Sequence, residues 1–175
     1  EQNPTGNQCH TYGLNLYLPL HGTGMSRAGN YYVRSAYGST AVINWSLNRS
    51  NNETIQSYQK YLDDFKRFRE YYLGDYYSLI SPNKHYMDTK FWFAYQLNRP
   101  EKKDGIVLAF RREKCLNETL PVKLCGLNAD SNYELVYEDE GIRIIKSGRE
   151  LMNGLELKIS DLPGSLLISY KMIEK

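Results

Sequence analysis

The pattern of apolar and polar residues changes near residue 82 of the 175-residue chain. Before that point, two apolar stretches, YGLNLYLPL (12–20) and TAVINWSL (40–47), predict buried strands, because β-branched and aromatic residues fit a pleated surface. Residues 31–39, YYVRSAYGS, lie between them and predict a short helix. The order of strand, helix and strand, with a further helix after it, favours the end of a parallel α/β unit.

The clearest predicted helix follows the second strand. Asn51 or Asn52 can cap its first turn, and Glu53 lies within that turn. Apolar residues recur every three or four positions until Gly74 ends the helix; they are Ile55, Tyr58, Leu62, Phe65 and Tyr72. Charged residues of both signs occupy the remaining face, which is typical of a solvated helix surface.

From residue 89 onward the pattern predicts strand after strand. Seven short segments broken by turn residues carry it: 89–97, 105–112, 120–127, 132–139, 141–147, 154–160 and 165–173. Leu155, Leu157 and Ile159 alternate with polar residues, as in a strand with one buried face. The spacing predicts an antiparallel β-sandwich over residues 82–175, so the predicted fold class is α+β.

Composition and charge exclude several classes of partner. Lys and Arg number 22 against 20 Asp and Glu, and a net charge of +2 gives no electrostatic footprint for nucleic acid or an anionic membrane. No segment approaches the roughly 20 continuous apolar residues of a spanning helix, and residues 1–8 have neither a basic start nor an apolar stretch. We therefore expect a soluble protein with neither a nucleic-acid nor a membrane partner.

The loop HGTG, residues 21–24, is the first candidate for chemistry. A phosphate loop needs a closing Gly-Lys-Ser/Thr and a dinucleotide loop needs three spaced glycines, so no nucleotide cofactor is predicted. His21 is either a general base or a histidine hydrogen-bonded within its loop, since the sequence pairs it with no nucleophile or orienting acid. The histidines and acids also lack metal-ligand spacing, and no metal is predicted.

Two features of the composition leave alternatives open. Cys9, Cys115 and Cys125 fit structural thiols, although a bridge between Cys115 and Cys125 would close a short loop. The 16 tyrosines suit half-buried strands, and the same side chain also packs on the faces of sugars. No pair of carboxylates stands out for glycoside hydrolysis.

Three stretches before residue 83 resemble the catalytic domain of the family 36 glycoside hydrolases, the α-galactosidase or melibiase-like enzymes. CHTYGLNLYLPLHGTG (9–24) looks like the seventh strand of their (β/α)8 barrel and the loop after it. YYVRSAYGSTAVINWSL (31–47) looks like the seventh helix and eighth strand. YLDDFKRFREYYLGDYYSLISP (61–82) is similar to the long eighth helix and its exit.

Later stretches resemble the β-sandwich that closes the same enzymes. They are DGIVLAFRR (104–112), LCGLNADSNYELV (124–136), SGRELMNGLELKI (147–159) and LPGSLLISYK (162–171). The resemblance implies that residues 1–81 are the truncated C-terminal end of a catalytic barrel and residues 82–175 a C-terminal sandwich. In that arrangement the sandwich packs on the barrel and stabilises it.

The resemblance also implies where a substrate pocket lies. Active-site loops of such barrels follow the C-terminal ends of the strands, so His21, Gly22, Thr23 and Trp45 are placed at the pocket rim by position. The two catalytic aspartates of the family belong to earlier strands. Asp63, Asp64, Asp75 and Asp88 match neither of them, so no catalytic residue is assigned and the chain alone is predicted to be inactive.

The implied partner is an α-galactoside or a related glycan, bound through the intact enzyme. A piece of a barrel leaves apolar faces open, which predicts self-association, pairing with the missing barrel part, or a rearranged packing of residues 1–50 on the sandwich. The alternative is a free-standing carbohydrate-binding or structural module, with Trp92 or exposed tyrosines as the sugar platform. No compartment follows from the sequence, and a periplasmic or extracellular place is favoured only if the parent enzyme is secreted.

Overall fold

The computed structural model describes residues 3–18, 20–25, 27–40, 42–43, 51–80 and 86–173. The chain divides into two compact units, Glu1–Leu73 and Gly74–Lys175, called the first and the second unit. Within the described ranges, no helix is long and apolar enough to cross a membrane. The predicted boundary after residue 81 separated a barrel portion from a sandwich, and that assignment stays a prediction.

Helices dominate the first unit. They are α1 (Pro4–Leu14), α2 (Asn30–Ser35) and α3 (Asn52–Phe68), and a 3-10 turn over Arg69–Leu73 continues α3. Two short strands, β1 (Gly24–Met25) and β2 (Val42–Ile43), pair in parallel. The buried apolar side chains of this unit are mostly aromatic: Met25, Tyr31, Val33, Ala36, Tyr37, Tyr58, Tyr61, Phe68 and Tyr72.

Helix α1 occupies part of a segment that the sequence predicted as a buried strand. The prediction covered residues 12–20 and is wrong, because the chain is helical to Leu14 and Leu16 and Tyr17 are 64% and 75% exposed. The cause lies upstream, where the Asn3 side chain accepts a hydrogen bond from the Gly6 amide at 3.0 Å and Pro4 opens the first turn. An asparagine cap followed by proline starts a helix, and this one runs on into the apolar segment.

The two predicted helices are confirmed. Helix α2 begins one residue before the segment expected to be helical, and α3 begins where the Asn51 side chain accepts a hydrogen bond from the Thr54 amide at 2.9 Å. The 3-10 turn after α3 ends at Leu73, directly before the predicted stop at Gly74. Local signals decided these elements, because a cap and an apolar stripe lie within one stretch of chain.

The predicted strand over residues 40–47 is observed only at Val42 and Ile43. Val42 is 41% exposed, so the expected burial is wrong there, and residues 44–47, including Trp45, lie outside the described residues. A buried strand needs neighbours on both sides, and in the described part of the first unit β2 is paired with β1 alone.

The second unit is built on a six-stranded antiparallel sheet with the order β3-β4-β5-β10-β7-β8, and β6 and β9 form a separate antiparallel ribbon. Helix α4 spans Gly148–Asn153. The strands are β3 (Asp75–Ser78), β4 (Phe93–Arg99), β5 (Asp104–Arg111), β6 (Thr119–Val122), β7 (Asn132–Tyr137), β8 (Ile142–Ser147), β9 (Leu155–Lys158) and β10 (Gly164–Ile173). All seven predicted strands are confirmed, whereas β3 and α4 were not predicted.

One core joins the sheet, the ribbon and α4. Leu155 and Leu157 of the ribbon are buried while Glu156 and Lys158 are exposed, which confirms the predicted alternation. The core cluster comprises Trp92, Ala94, Val107, Ala109, Cys115, Val122, Leu124, Tyr133, Leu135, Leu151, Leu155, Leu157, Ile159, Leu166, Ile168 and Tyr170. The second unit is therefore a two-layer antiparallel β domain, which agrees with the fold class expected for this half of the chain.

The structure resolves two alternatives that the sequence left open. All three cysteines are free thiols, so Cys115 and Cys125 form no bridge, and Cys115 is buried in the core. Trp92 is only 6% exposed, and its indole N–H donates a hydrogen bond to the Asn117 carbonyl at 3.0 Å. A ring buried in this way cannot serve as a sugar platform, so that element of the module hypothesis is wrong.

Candidate functional site in the His21 loop

Two loop segments of the first unit lie side by side just before the parallel pair of strands. Residues 20–23 lead into β1, and residues 36–40 approach β2. The His21 amide donates a hydrogen bond to Ser39 Oγ at 2.8 Å, and the His21 carbonyl accepts from Ser39 Oγ at 3.1 Å and from the Thr40 amide at 3.1 Å. These bonds fix the backbone of the HGTG loop against the chain before β2.

The glycines of this loop serve the close approach of the two segments. A Cβ atom on Gly22 would lie 2.2 Å from Thr40 Oγ1 and 2.5 Å from the Thr40 carbonyl oxygen. On the other segment, a Cβ on Gly38 would lie 2.7 Å from the His21 carbonyl oxygen. Real Cβ atoms do not approach so closely, and only glycine fits both positions. Backbone packing thus accounts for Gly22 without a bound phosphate.

The His21 side chain is held in one orientation inside the first unit. It is 6% exposed, its Nε2 contacts Asn15 Oδ1 at 2.5 Å, and its ring meets the Tyr72 ring edge-on at a centroid distance of 6.3 Å. Burial lowers the pKa of His21 below 6.5, and the nearby His10 lowers it further. An amide oxygen only accepts hydrogen bonds, so Nε2 carries the proton and the neutral ring presents Nδ1 as an acceptor.

Three buried polar atoms on or beside the loop have no hydrogen-bond partner among the described residues. They are His21 Nδ1, Thr23 Oγ1 and Asn15 Nδ2. Buried polar atoms are nearly always paired, so each of these is a place where a ligand or water would gain a bond. Together they offer an acceptor, a hydroxyl and an amide donor, with no net charge.

Three of the four predicted site residues lie among the described residues. His21, Gly22 and Thr23 lie together on the loop, whereas Trp45 lies outside the described residues. Sequence reasoning missed Asn15 and Ser39, which contact His21 through its ring and its backbone. Neither residue carries a local signal, because both contacts join positions that only the tertiary fold brings together. The role of the predicted residues at a substrate pocket stays a prediction.

The aspartates of α3 show no pair suited to hydrolysis. Asp64 accepts a hydrogen bond from the Tyr37 hydroxyl at 2.9 Å and lies 3.7 Å from the Arg67 guanidinium. Burial and the neighbouring Asp64 raise the pKa of Tyr37 well above its ordinary value, so the phenol stays protonated as a donor. Asp63 is exposed beside Lys66. Both acids stabilise the surface of α3.

Among the described residues, no three His, Cys, Asp or Glu side chains gather in a way that could hold a metal ion. Asp88, one of the remaining acids, accepts a hydrogen bond from the Lys90 amide at 2.9 Å and so closes a turn.

The lowered pKa of His21 predicts a loss of stability in acid. Well above pH 6.5 the imidazole is neutral in both states, so its contribution is fully present. As the pH falls below 6.5, the unfolded chain binds a proton before the folded chain does, and the free energy of unfolding decreases. Urea unfolding at about pH 7.5, about pH 6 and about pH 5 measures the free energy of unfolding at each pH. This free energy should decrease more steeply with falling pH for the parent chain than for His21→Gln. Equal slopes would contradict a buried neutral imidazole.

The chain resembles known proteins at the level of structure. No protein-family model matches the sequence, and no curated protein matches it. The GH36 α-galactosidase AgaA from Geobacillus stearothermophilus superposes with a TM-score of 0.77 at 19% identity over 98% of this chain. The galactosidase domain of the α-galactosidase-sucrose kinase AgaSK gives 0.73 at 19% over 98%, and the α-galactosidase from Lactobacillus brevis gives 0.69 at 15% over 88%.

These likenesses establish a fold, because the identities are too low to carry function. The fold is that of a part of the GH36 α-galactosidases, which confirms the resemblance found in the sequence. The chain spans about a quarter of the length of these proteins, at 25%, 25% and 22% of AgaA, AgaSK and the Lactobacillus brevis enzyme. The mostly antiparallel sheet with a few helices matches their C-terminal domain.

Proposed function

We propose that this chain is the C-terminal part of an α-galactosidase-like glycoside hydrolase. The observation that carries the proposal is the fold match, which extends over 98% of this chain but only 25% of the GH36 enzyme. Under this proposal residues 1–81 close the catalytic barrel and residues 82–175 form the C-terminal β domain, which stabilises the barrel. The ligand is an α-galactoside or a related glycan, and it binds to the intact enzyme.

The parallel pair β1 and β2 supports a barrel origin for the first unit. Parallel pairing is the pattern of (β/α)8 strands, and α2 lies between the two strands in the chain, as a crossover helix does. His21 and Thr23 lie in the loop before β1, at the N-terminal end of that strand, whereas the active-site loops of such barrels follow the C-terminal ends of the strands. Their place at the pocket rim is therefore proposed from the sequence resemblance and not from β1, and their orphaned polar atoms suit sugar hydroxyls. Trp45 is proposed for the same rim from its place in the sequence.

A cluster of exposed apolar residues supports the proposal that another part of the enzyme packs against the first unit. Leu16, Tyr17, Leu18 and Leu20 are 64%, 75%, 44% and 64% exposed, and they form one short segment of the first unit. Apolar side chains clustered in this way usually mark a contact surface. The rest of the barrel covers this segment in the intact enzyme, and copies of the isolated chain associate through it.

The catalytic carboxylates are proposed to lie outside this chain. Retaining hydrolysis needs two carboxyl groups about 5 Å apart. In α3, Asp64 is engaged by Tyr37 and Arg67, and Asp63 pairs with Lys66 at the surface. The alternative of a free-standing carbohydrate-binding module loses support, since Trp92 is buried in the core.

The first test is an activity assay. We expect the isolated 175-residue chain to release no p-nitrophenol from p-nitrophenyl α-galactoside above a buffer blank, because it lacks both catalytic carboxylates. The same chain, extended by the polypeptide encoded upstream of Glu1, is expected to hydrolyse the substrate.

Two results would overturn the proposal. Turnover by the isolated chain would place the catalytic groups within it, and an extended chain that folds but hydrolyses no α-galactoside would remove the assigned activity. Calorimetric titration of the isolated chain with galactose-containing oligosaccharides distinguishes an enzyme fragment from a free-standing carbohydrate-binding module. The module hypothesis requires clear saturable binding without the barrel.

A further inference from the structure

The two ends of strand β1 carry different side chains. His21 and Thr23 lie before the strand, which spans Gly24–Met25, and Arg27 lies two residues after it. Helix α2 begins shortly beyond Arg27, so the connection from strand to helix is short. Arg27 is therefore the charged residue at the C-terminal end of β1, opposite the end that carries the His21 loop.

The parallel pairing of β1 with β2 brings the C-terminal ends of both strands to one edge. Met25, the last residue of β1, pairs with Ile43, the last residue of β2. Arg27 follows Met25 by two residues. Trp45, proposed above for the pocket rim, follows Ile43 by the same number of residues in the sequence. The chain thus has an arginine and a tryptophan at equivalent sequence positions after the two strands.

The Arg27 side chain is exposed, but its guanidinium is held in place by an aromatic ring. The Arg27 Cζ atom lies 4.1 Å from the centroid of the Tyr32 ring. The Tyr32 ring in turn meets the Tyr31 ring edge-on at a centroid distance of 5.4 Å, and Tyr31 is buried in the first unit. Two aromatic rings therefore connect the guanidinium to the core, and stacking limits the orientations that the guanidinium can adopt.

The N–H groups of Arg27 are available to a ligand. A guanidinium carries several N–H donors in a planar fork, and no described residue accepts a hydrogen bond from Arg27 or forms an ion pair with it. Because Arg27 is open to solvent, a ligand reaches it without displacing packed side chains. A fork that stacking holds in one orientation can bond neighbouring hydroxyl oxygens of a sugar with little further loss of side-chain entropy.

We propose that Arg27 contacts the glycan in the substrate pocket, where its guanidinium donates hydrogen bonds to sugar hydroxyls. This inference rests on the proposed α-galactosidase-like function, because a strand of a (β/α)8 barrel carries its active-site loop at the C-terminal end. If β1 has a barrel origin, its active-site end is the one that Arg27 follows. Arg27 binds the substrate in this proposal and takes no part in proton transfer or nucleophilic attack.

The test uses the chain extended by the polypeptide encoded upstream of Glu1. Its Arg27→Ala variant is expected to hydrolyse p-nitrophenyl α-galactoside with a kcat/KM reduced about tenfold or more, chiefly through a higher KM, because hydrogen bonds from a charged donor are lost. Arg27→Lys keeps the charge without the planar fork and should recover only part of this loss. The inhibition constant of galactose should rise with KM, which reports binding separately from turnover.

Arg69→Ala is the matched control. Arg69 is also exposed and lies over an aromatic ring, with 5.6 Å between its Cζ atom and the centroid of the Phe65 ring, but it belongs to the 3-10 turn after α3. Both variants lose an exposed cation–π contact, so their comparison isolates the contact with substrate. We expect Arg69→Ala to keep the kcat/KM of the parent enzyme, and the thermal unfolding midpoints of the two variants to be similar.

The outcomes separate this assignment from the proposed function. An active parent enzyme whose Arg27→Ala variant keeps its kcat/KM and its affinity for galactose overturns the assignment of Arg27 alone. The assignment also fails if Arg69→Ala loses as much activity as Arg27→Ala. An extended chain that folds but hydrolyses no α-galactoside overturns the proposed function, and the assignment with it.

Discussion

Replacing Arg111 by methionine is expected to lower the free energy of unfolding by about 3–4 kcal/mol. Arg111 is only 6% exposed, and its guanidinium donates to four backbone carbonyls. The acceptors are Cys115 at 3.1 Å, Leu116 at 3.2 Å, Ile159 at 3.2 Å and Ser160 at 2.7 Å. Methionine keeps the apolar stem but donates no hydrogen bond, which leaves these carbonyls without their donor.

The four acceptors explain why the effect should be large. The four carbonyls belong to two separate segments, one after β5 and one after β9. Arg111 is the last residue of β5, so its hydrogen bonds hold both segments at the end of that strand. Urea unfolding followed by far-ultraviolet circular dichroism measures the change. The control is Arg149→Met, since Arg149 is 67% exposed in an ion pair with Asp130 and should cost less than about 1 kcal/mol. Similar losses for the two variants would contradict the structural role of Arg111.

Replacing Trp92 by alanine is expected to cost about 3–5 kcal/mol of stability. The indole is buried in the core of the second unit, and its N–H donates to the Asn117 carbonyl at 3.0 Å. Alanine leaves a cavity that the surrounding strands fill only in part, and it also removes the donor to Asn117. Thermal and urea unfolding of the full chain report the loss.

A second variant separates packing from sugar binding. Trp92→Phe keeps an aromatic ring and should lose less than Trp92→Ala, because it fills most of the volume and forfeits chiefly the hydrogen bond. Neither variant is expected to change glycan binding as long as the chain is folded. If Trp92→Ala instead kept its stability and abolished binding of galactose-containing oligosaccharides, Trp92 would be a sugar platform after all.

Local sequence signals predicted elements well where both the start and the face of an element lay within one stretch. Helix α3 has its cap at Asn51, as predicted, although of the predicted apolar series within the helix only Tyr58 is fully buried, and Tyr61 and Phe68 complete the buried face. Strand β9 has its alternation within Leu155–Lys158. The same signals failed over residues 12–20, where an apolar run looked like a strand but a capped helix begun at Pro4 extends into it. Competition between neighbouring signals, rather than their absence, caused that error.

Elements with weak local patterns were missed. Strand β3 has a burial pattern of exposed ends and half-buried centre over Asp75–Ser78, and it exists because β4 offers it a partner. Helix α4 has only six residues, and the capping box between Ser147 and Glu150 starts it. A short helix of this kind is stabilised by the packing of Leu151 in the core more than by its own propensity.

The candidate site was predictable only in outline. The sequence marked His21, Gly22 and Thr23 as one loop, and the structure keeps them together. Their partners could not be predicted, because Asn15 and Ser39 reach His21 through contacts that close only when the chain folds. The same holds for Gly22, whose need for glycine arises from Thr40 on the other loop segment.

By itself the sequence determined helices α2 and α3, the seven predicted antiparallel strands and the resemblance to a part of the GH36 enzymes. Only the tertiary structure decided that Trp92 is a core residue, that the His21 ring is buried beside Asn15, and that Lys171 pairs in register with Asp104 and Glu134. The reason is physical: hydrogen-bonded turns and apolar periodicity are properties of neighbours along the chain, whereas burial, charge pairing and close backbone approach depend on residues that folding brings together.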